Sequence, residues 1–473
     1  MLQYYYTGGE LVLHAKQDVF RRKKRILEDP RMERTQTKGN EKIALLFDTG
    51  TFVQTGAYIK RAGSAKEYEG VICGYGSIGG KLAFAFVQDG DRLKGAFDAT
   101  GAKKISALYQ MAISAGAPII GVFDSAGALV PDGSAVLSAY STLLADISAA
   151  SGVIPQIAIV CGTCSGLGAV AASMLDVRVV AQNANIYLAA GEMPIGADAF
   201  ADILCKTEQQ AFDKARALVA LLPQNNKDYA TTASSDDPAR PVVASVTDTK
   251  ALICDLCDAD TLIALGEQKK DGMMTYLASI GGVVCGIVAT DRAQNGGKIT
   301  KSGARRAAQA VSLCDSLGLP VLTLVDSEGI APTCSPCSAK AYGALAGAYA
   351  NAKCPKVTVV TGNAYGAAFS LLCSRAGGAD LALALPEAII SVMSPQSAVA
   401  FLYNDQITQE KSRAELEAEW KRTQASAVAA AEKGDIDDII PAEELRARIC
   451  AALYMLGSKA EGTPVRRHAN LPL

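Results

Sequence analysis

Residues 77–89 read SIGGKLAFAFVQD, and residues 279–291 read SIGGVVCGIVATD. The first four letters agree and both stretches close on an aspartate. The likeness extends outward at one offset: GAKK (101–104) faces GARR (303–306), Pro118 faces Pro320, and Asp124 faces Asp326. Further on the offset slips slightly, and Pro155, Gly162 and Gly166 face Pro355, Gly362 and Gly366. A period of about 200 residues lies far beyond the roughly 20–50 of stacked solenoid repeats and is the size of a domain. The chain is expected to be a tandem duplication of one fold.

The length of 473 residues suits two such domains. Apolar residues make up 49% of the chain but aromatics only 6%, so cores packed by small side chains and glycine-rich turns are expected. A net charge of −2 offers no electrostatic footprint for nucleic acid or an anionic membrane. The start, MLQYYYTGGELVLHAK, lacks the basic head and apolar core of a secretion signal. The most apolar stretch, GVIPQIAIVCGTCSGLGAVAASML (152–175), is interrupted by Pro155, Gln156 and small polar residues, which argues against a membrane span.

Thirteen cysteines include three CxxC pairs, Cys161/Cys164, Cys254/Cys257 and Cys334/Cys337. A zinc ribbon sets two pairs about 15–20 residues apart. These pairs are much farther apart, so buried reduced thiols are expected and no metal. The two histidines, His14 and His468, lie near the chain ends. A Ser-His-Asp triad, a Cys-His pair or a histidine-ligated catalytic metal needs imidazole in the core. The chemistry is expected to run without one.

Along the chain, residues 9–30 read as an amphipathic helix and 30–42 as an extended approach. KIALLFDTGTFV (42–53) starts a helix or strand that breaks at Thr49-Gly50. KLAFAFVQD reads as a buried strand. GAKKISALYQMAISAG (101–116) has apolar residues at helical spacing and a glycine stop. APIIGVFDSAG is a strand and turn, GSAVLSAYSTLLADISAASG a helix, IPQIAIVCGTCSG a strand and glycine turn, and GAVAASML a helix. The second half repeats the order, which predicts an α/β fold with buried, largely parallel strands. The polar stretch LLPQNNKDYATTASSDDPARP (221–241) reads as a linker, giving domains 1–235 and 236–473. The charged run over 406–458 reads as packing or interface helices.

GYGSIGG matches GxGxxG at Gly74, Gly76 and Gly79. A dinucleotide fingerprint needs a helix after it; a strand follows, so the motif is read as a hairpin turn. The sharper signal is a strand, then TCSGLG (163–168) or NAYGAAF (363–369), then a helix. Such a turn exposes backbone N–H groups without internal partners, and these, with the helix dipole, stabilise an anion. Tight strand–helix packing calls for the same small residues, and the pattern alone leaves both readings open.

These residues carry a resemblance. GTFV (50–53), GYGSIGGKLAFAFVQD, GAKKISALYQMAISAGAPIIGVFDSAG and ASGVIPQIAIVCGTCSG resemble the carboxyltransferase subunits of biotin-dependent acyl-CoA carboxylases and decarboxylases. CDSLGLPVLTLVD (314–326), CPKVTVVTGNAYGAAF (354–369) and AAEKGDIDDIIPAEELR (430–446) continue the likeness, which covers about residues 40–455. It implies two tandem crotonase-like domains. It also implies a carboxyl group carried on biotin attached to a separate protein, and two backbone oxyanion holes. One would hold the enolate of an acyl-CoA thioester and the other the ureido oxygen of biotin, so that no side-chain acid or base is obligatory.

Carried over by position, the thioester hole falls on Gly166 and Leu167 and the biotin hole on Ala367 and Ala368. Gly95, Ala96, Ser125 and Gly127 fall at substrate-binding positions. Ser370 falls where the family shapes its acyl pocket. Leu167 and Ala367 stand where the family usually has glycine. Lys94 and Ala96 replace a small glycine-serine element, and DSAGALVPDG (124–133) differs from the usual glycine-arginine version at Ala128 and Leu129. No AMKM-type biotin lysine occurs.

The partners implied are a biotin carboxyl carrier protein and either a biotin carboxylase or a membrane decarboxylase pump subunit. Further copies of the chain are implied too, in a homo-oligomer built as a trimer-of-dimers hexamer. The place implied is the cytoplasm, or the periphery of a membrane complex. Three readings stay open: a carboxylase component, the alpha subunit of a sodium-pumping decarboxylase, and a non-catalytic scaffold for which Leu167 speaks. A hydratase would need paired carboxylates, and Glu192 has no evident second.

Overall fold

In the computed structural model both SIGG stretches close β-hairpins. The structure describes residues 37–60, 70–189, 191–232, 236–267, 269–332, 337–408 and 411–459; the helix expected over 9–30 lies outside them. Strand β2 (Val71–Ile78) turns at Gly79-Gly80 into β3 (Lys81–Gln88), with Ile78 facing Lys81. Strand β10 (Met273–Ile280) turns at Gly281-Gly282 into β11 (Val283–Thr290), with Ile280 facing Val283. The turn glycines have φ of 57° and 82° in the first hairpin and 58° and 82° in the second. That geometry matches strand twist and excludes most side chains. GxGxxG is thus a hairpin feature, as expected from the strand that follows it.

The chain divides into two units, Met1–Ala220 and Leu221–Leu473. The first holds an eight-stranded sheet in the order β1-β2-β3-β4-β5-β6-β8. Its remaining strands are β1 (Val53–Thr55), β4 (Ile119–Ser125), β5 (Gln156–Ser165), β6 (Val177–Ala181), β7 (Asn185–Tyr187) and β8 (Ile203–Cys205), with β7 pairing β5. The second sheet also has eight strands, in the order β16-β14-β13-β12-β11-β10-β9. They are completed by β9 (Ile263–Ala264), β12 (Val321–Ser327), β13 (Lys356–Tyr365), β14 (Leu381–Ala384), β15 (Ile389–Ser391) and β16 (Asp438–Ile439), with β15 pairing β13. In each unit the hairpin is antiparallel and every pairing beyond β3 or β11 is parallel. This is the repeated α/β order predicted from the sequence.

The repeated letters have local causes. Helix α1 (Lys38–Leu46) starts earlier than the extended approach expected up to 42, because the Thr37 side chain caps it by accepting from Asn40 N–H. Helix α2 (Ala99–Ala115) is capped by Asp98 on Gly101 N–H and stops at left-handed Gly116, as read from GAKK…SAG. In the second unit Thr300 caps Gly303 N–H. The last basic residue of GAKK and GARR reaches the start of the hairpin: Lys104 donates to Val71 O, and Arg306 to Met273 O and Asp271.

SIGG is repeated because it grips an aspartate. Ser77 Oγ and the N–H groups of Gly79 and Gly80 donate to the Asp48 carboxylate at 2.9, 3.1 and 3.1 Å. Ser279 Oγ, Gly281 N–H and Gly282 N–H do the same for Asp258 at 2.6, 3.1 and 2.8 Å. An arginine from the last described helix of each unit completes the clasp. Arg216, on the helix Glu208–Leu221, meets Asp48 at 2.8 Å, and Arg446, on the helix Leu445–Leu456, meets Asp258 at 2.6 Å. Arg446 is fully buried. Burial pushes the Asp258 carboxyl up, but bonds from Ser279, Arg446, Gly282 and Gly281 outweigh it and hold the group below its ordinary value.

The segment 221–241, read as a linker, folds with the second unit: Thr231 bridges Val283 and Thr232 N–H donates to Gly282 O. The charged run over 406–458, read as packing or interface helices, holds several short helices among its described residues. Ser412 and Ser426 cap short helices within it, a π-helical turn spans Lys421–Ala425, and β16 joins the sheet edge.

Asp258→Asn should lower stability by about 3–5 kcal/mol at neutral pH, the cost of leaving a buried cation unpaired, read as a drop in melting temperature. Because its folded pKa lies below the unfolded one, Asp258 stabilises fully above about pH 4 and loses this as pH falls through the folded value. The melting-temperature gap between wild type and variant should therefore narrow only in that acid range.

Candidate active site

Strands β3, β4 and β5 end side by side, and their ends with the segments that leave them carry every expected site residue of the first half. Strands β4 and β5 keep register through Phe123 and Val160, then slip at Asp124 so that Ser125 pairs Cys164. Asp124 Oδ1 accepts from Thr163 N–H at 3.2 Å, and Oδ2 from Lys42 Nζ at 2.6 Å. A Cβ on Gly162 would stand 2.1 Å from Oδ1. The second unit repeats this at the slip beside Asp326. There Asn363 N–H and Arg292 donate to the carboxylate at 2.8 and 3.1 Å, and a Gly362 Cβ would stand 2.4 Å from Asp326 Cγ. Asp124 and Gly162 recur together because they are one contact. Burial pulls the Lys42 pKa down, yet Cys161, Asp124 and Glu208 raise it above its ordinary value, so the ammonium stays charged.

After β5 the chain turns at Gly166, with φ 58° and ψ −128°, into helix α3 of the site, Leu167–Met174. After β13 it turns at Gly366, with φ 54° and ψ −123°, into the short helix Ala367–Leu371. Only glycine adopts this corner readily. Gly166 N–H donates to Tyr187 O and Gly366 N–H to Ser391 O, both at 2.8 Å. The assignment of Gly166 as an anion donor is therefore corrected: its N–H is engaged by β7, and the residue supplies the turn. Neither the N–H groups of Leu167 and Gly168 nor those of Ala367 and Ala368 have a protein partner among the described residues. Gly168 carries the unpartnered N–H that sequence reasoning missed. Aligning 168 with 368, as 166 aligns with 366, was the signal that could have found it.

Gly95 and Gly127 join the same cluster. A Cβ on Gly95, where φ is 67°, would stand 1.9 Å from Asp124 O. Lys94 also has positive φ, 55°, unusual for a side-chain-bearing residue; its carbonyl is fixed by Ala126 N–H at 2.9 Å. Ala96 N–H donates to Leu93 O at 3.1 Å. Ser125 Oγ accepts from Gly127 N–H at 3.1 Å, and Gly127 O accepts from Phe97 N–H at 2.9 Å. A Gly127 Cβ would stand 3.6 Å from Ser165 Cβ, so these loops lie against the Gly166 corner. The Leu167 side chain is 38% exposed.

In the second unit a cavity of about 470 Å³ opens beside Gly366, lined by Ser370, Trp420, Gln424 and Lys433 among others. Cys161 and Cys164 are buried in β5, and burial pushes both thiols up to about 12. Among the described residues no group of three or more His, Cys, Asp or Glu is placed to hold a metal ion, and no helix is long and apolar enough to cross a membrane.

Two sheets of this order, each with a left-handed glycine corner, define a tandem crotonase-like α/β protein. The chain aligns with the crystal structure of transcarboxylase 12S, described as a hexamer with methylmalonyl-CoA and methylmalonic acid bound, at a TM-score of 0.88 and 25% identity over 100% of both chains. The chain belongs to the carboxyl transferase domain family, which matches residues 32–197 and 188–471, and is a carboxyltransferase of the biotin-dependent acyl-CoA carboxylase group. Its relatives include the methylmalonyl-CoA decarboxylase subunit alpha of Propionigenium modestum, 29% identical over 94% of this chain and 95% of that one. The propionyl-CoA carboxylase carboxyltransferase subunit of Haloferax mediterranei is 30% identical over 86% of each.

Gly162→Ala should push the Asp124 carboxylate off Thr163 and Lys42. The expected cost is about 1–3 kcal/mol, as for other overpacked sites, measured as a lower denaturant midpoint.

Proposed function

We propose that this protein moves a carboxyl group between biotin on a separate carrier protein and an acyl-CoA thioester, using two backbone anion sites. The observation that supports the reading is the pair of unpartnered N–H groups at Leu167 and Gly168, matched at Ala367 and Ala368. Gain or loss of CO2 beside a thioester carbonyl places negative charge on that carbonyl oxygen. Donors fixed at a helix start stabilise such charge without reorganising. Leu167 and Gly168 hold the thioester oxygen, and Gly95, Ala96, Ser125 and Gly127 shape the groove around it. Ala367 and Ala368 hold the ureido oxygen of biotin, with Ser370 in the cavity wall beside them. Biotin supplies a nitrogen-bound carboxyl group when present. No imidazole is required, in keeping with histidines only at positions 14 and 468.

The same reading assigns a biotin carboxyl carrier protein as partner and a homo-hexamer as the assembly. The relative from Propionigenium modestum is a decarboxylase subunit and that from Haloferax mediterranei a carboxylase subunit; in the decarboxylase direction a membrane pump subunit takes the place of a biotin carboxylase. Direction follows from those partners. A scaffold role gains its support from the exposed Leu167 side chain.

The test is carboxyl exchange between a biotinyl carrier and acetyl-, propionyl-, methylmalonyl- or glutaconyl-CoA. Ala367→Pro deletes one donor at the first helical position, where proline fits. It should lower turnover by about 10²–10³, the usual worth of one oxyanion donor, while folding and assembly persist. Equal turnover by this variant and wild type would refute the second anion site. A folded wild type inactive on all four esters would put the scaffold role first.

Leu167→Gly should keep both N–H donors and change which acyl-CoA is preferred. The readout is the ratio of kcat/KM values among the four esters. Folding should change by no more than about 0.5–1 kcal/mol, the usual penalty for a helical glycine.

A further inference from the structure

The duplication places a tyrosine at matching points of both units. Tyr140 lies on the helix Ser134–Ala150 and Tyr342 on the helix Cys337–Asn351. In the second unit the Tyr342 hydroxyl donates to Ile299 O at 3.2 Å and ties down the loop that follows β11. Phe97 occupies the corresponding place in the first unit: Phe97 bridges Ala128 as Ile299 bridges Ile330. The Phe97 ring packs against Tyr140, with centroids 4.4 Å apart and planes tilted by 40°. The Tyr140 hydroxyl has no protein partner among the described residues, and the residue is 1% exposed. A buried hydroxyl left unpaired destabilises a fold, and phenylalanine would fill the same volume without that penalty.

The orphaned hydroxyl lies at the first anion site. Its oxygen stands 3.8 Å from the point that a Gly168 Cβ would occupy. Apart from the helix backbone and the chain neighbours of Gly168, no other heavy atom comes within 4 Å of that point. Gly168 N–H is one of the two unpartnered donors. Burial first, and then Cys164 at the end of β5, push the phenol well above its usual pKa, so the group carries its proton throughout the working range.

We propose that Tyr140 is a positioning residue of the first anion site, its O–H supporting the peptide between Leu167 and Gly168 while an anionic oxygen rests on the N–H pair. This rests on the function proposed above. A hydrogen bond to a peptide, made across one bound water, polarises it and strengthens its N–H as a donor. The second unit lacks this support because its tyrosine is committed to the loop. The two anion sites are therefore unequal, and the reinforced one faces the thioester oxygen.

The test compares two CoA analogues by calorimetry on the full chain. A nitronate analogue carries charged oxygens where the enolate forms, and a thioether analogue carries none. Tyr140→Phe should weaken nitronate binding about tenfold, the size of one hydrogen bond. Thioether binding should be unchanged, and the melting temperature equal to or above that of wild type. Nitronate affinity unchanged by the substitution, with wild type binding well, overturns this inference alone. So does an equal loss for both analogues, which marks a structural role. Wild type that binds neither analogue overturns the proposed function and this inference together.

Discussion

The carboxylate at the end of β4 is what the rest of the first site leans on. Asp124 occupies the slip between β4 and β5, and every nearby segment is measured against it. Lys42 neutralises it from α1, Thr163 donates to it from β5, Gly162 makes room for it, and Gly95 packs on its carbonyl. Without the slip, Ser125 would not pair Cys164, and the chain would not reach Gly166 at the angle that leaves two N–H groups unpaired. A half-buried carboxylate still demands that most of its acceptors be filled. The loops of the site are the means by which this is done.

The second unit meets the same demand with different parts. Its cation is Arg292, from the loop after β11 and 45% exposed at the side chain, whereas Lys42 comes from a separate helix and is 6% exposed. The acceptor for the Asp326 N–H is Thr290 Oγ1, and Gln88 Oε1 serves Asp124. What duplication preserved is the charge and the missing Cβ opposite it. The source of the counter-charge was free to drift, and so was the tyrosine beside each site.

This pattern explains what could be read from the letters. Asp124 with Gly162, and Asp326 with Gly362, sit on adjoining strands whose spacing is set by a whole helix, so they stayed within two residues of step and were visible as repeats. Asp48 and Asp258 were not, although they matter as much. They precede their SIGG serines by 29 and 21 residues, through connections whose length nothing constrains. Gly168 was not legible because the conspicuous glycine is the one that makes the turn, and the unpartnered N–H groups follow it. The α1 start turned on one threonine hydroxyl, and the β16 edge on a pairing with β14 that is remote in sequence. Neither leaves a periodic trace.

The clasps also set an order of events in synthesis. Asp48 lies 168 residues ahead of the arginine that covers it, and Asp258 lies 188 ahead of its own. As a chain grows from its N-terminus, each turn is made early and then waits for nearly a whole domain to emerge. Contacts this far apart in sequence form late. The first unit has all its parts once Arg216 is free, before β10 and β11 exist. A nascent chain paused anywhere between the two arginines carries one sealed sheet and one growing one, whose parallel strands offer open edges to any neighbour.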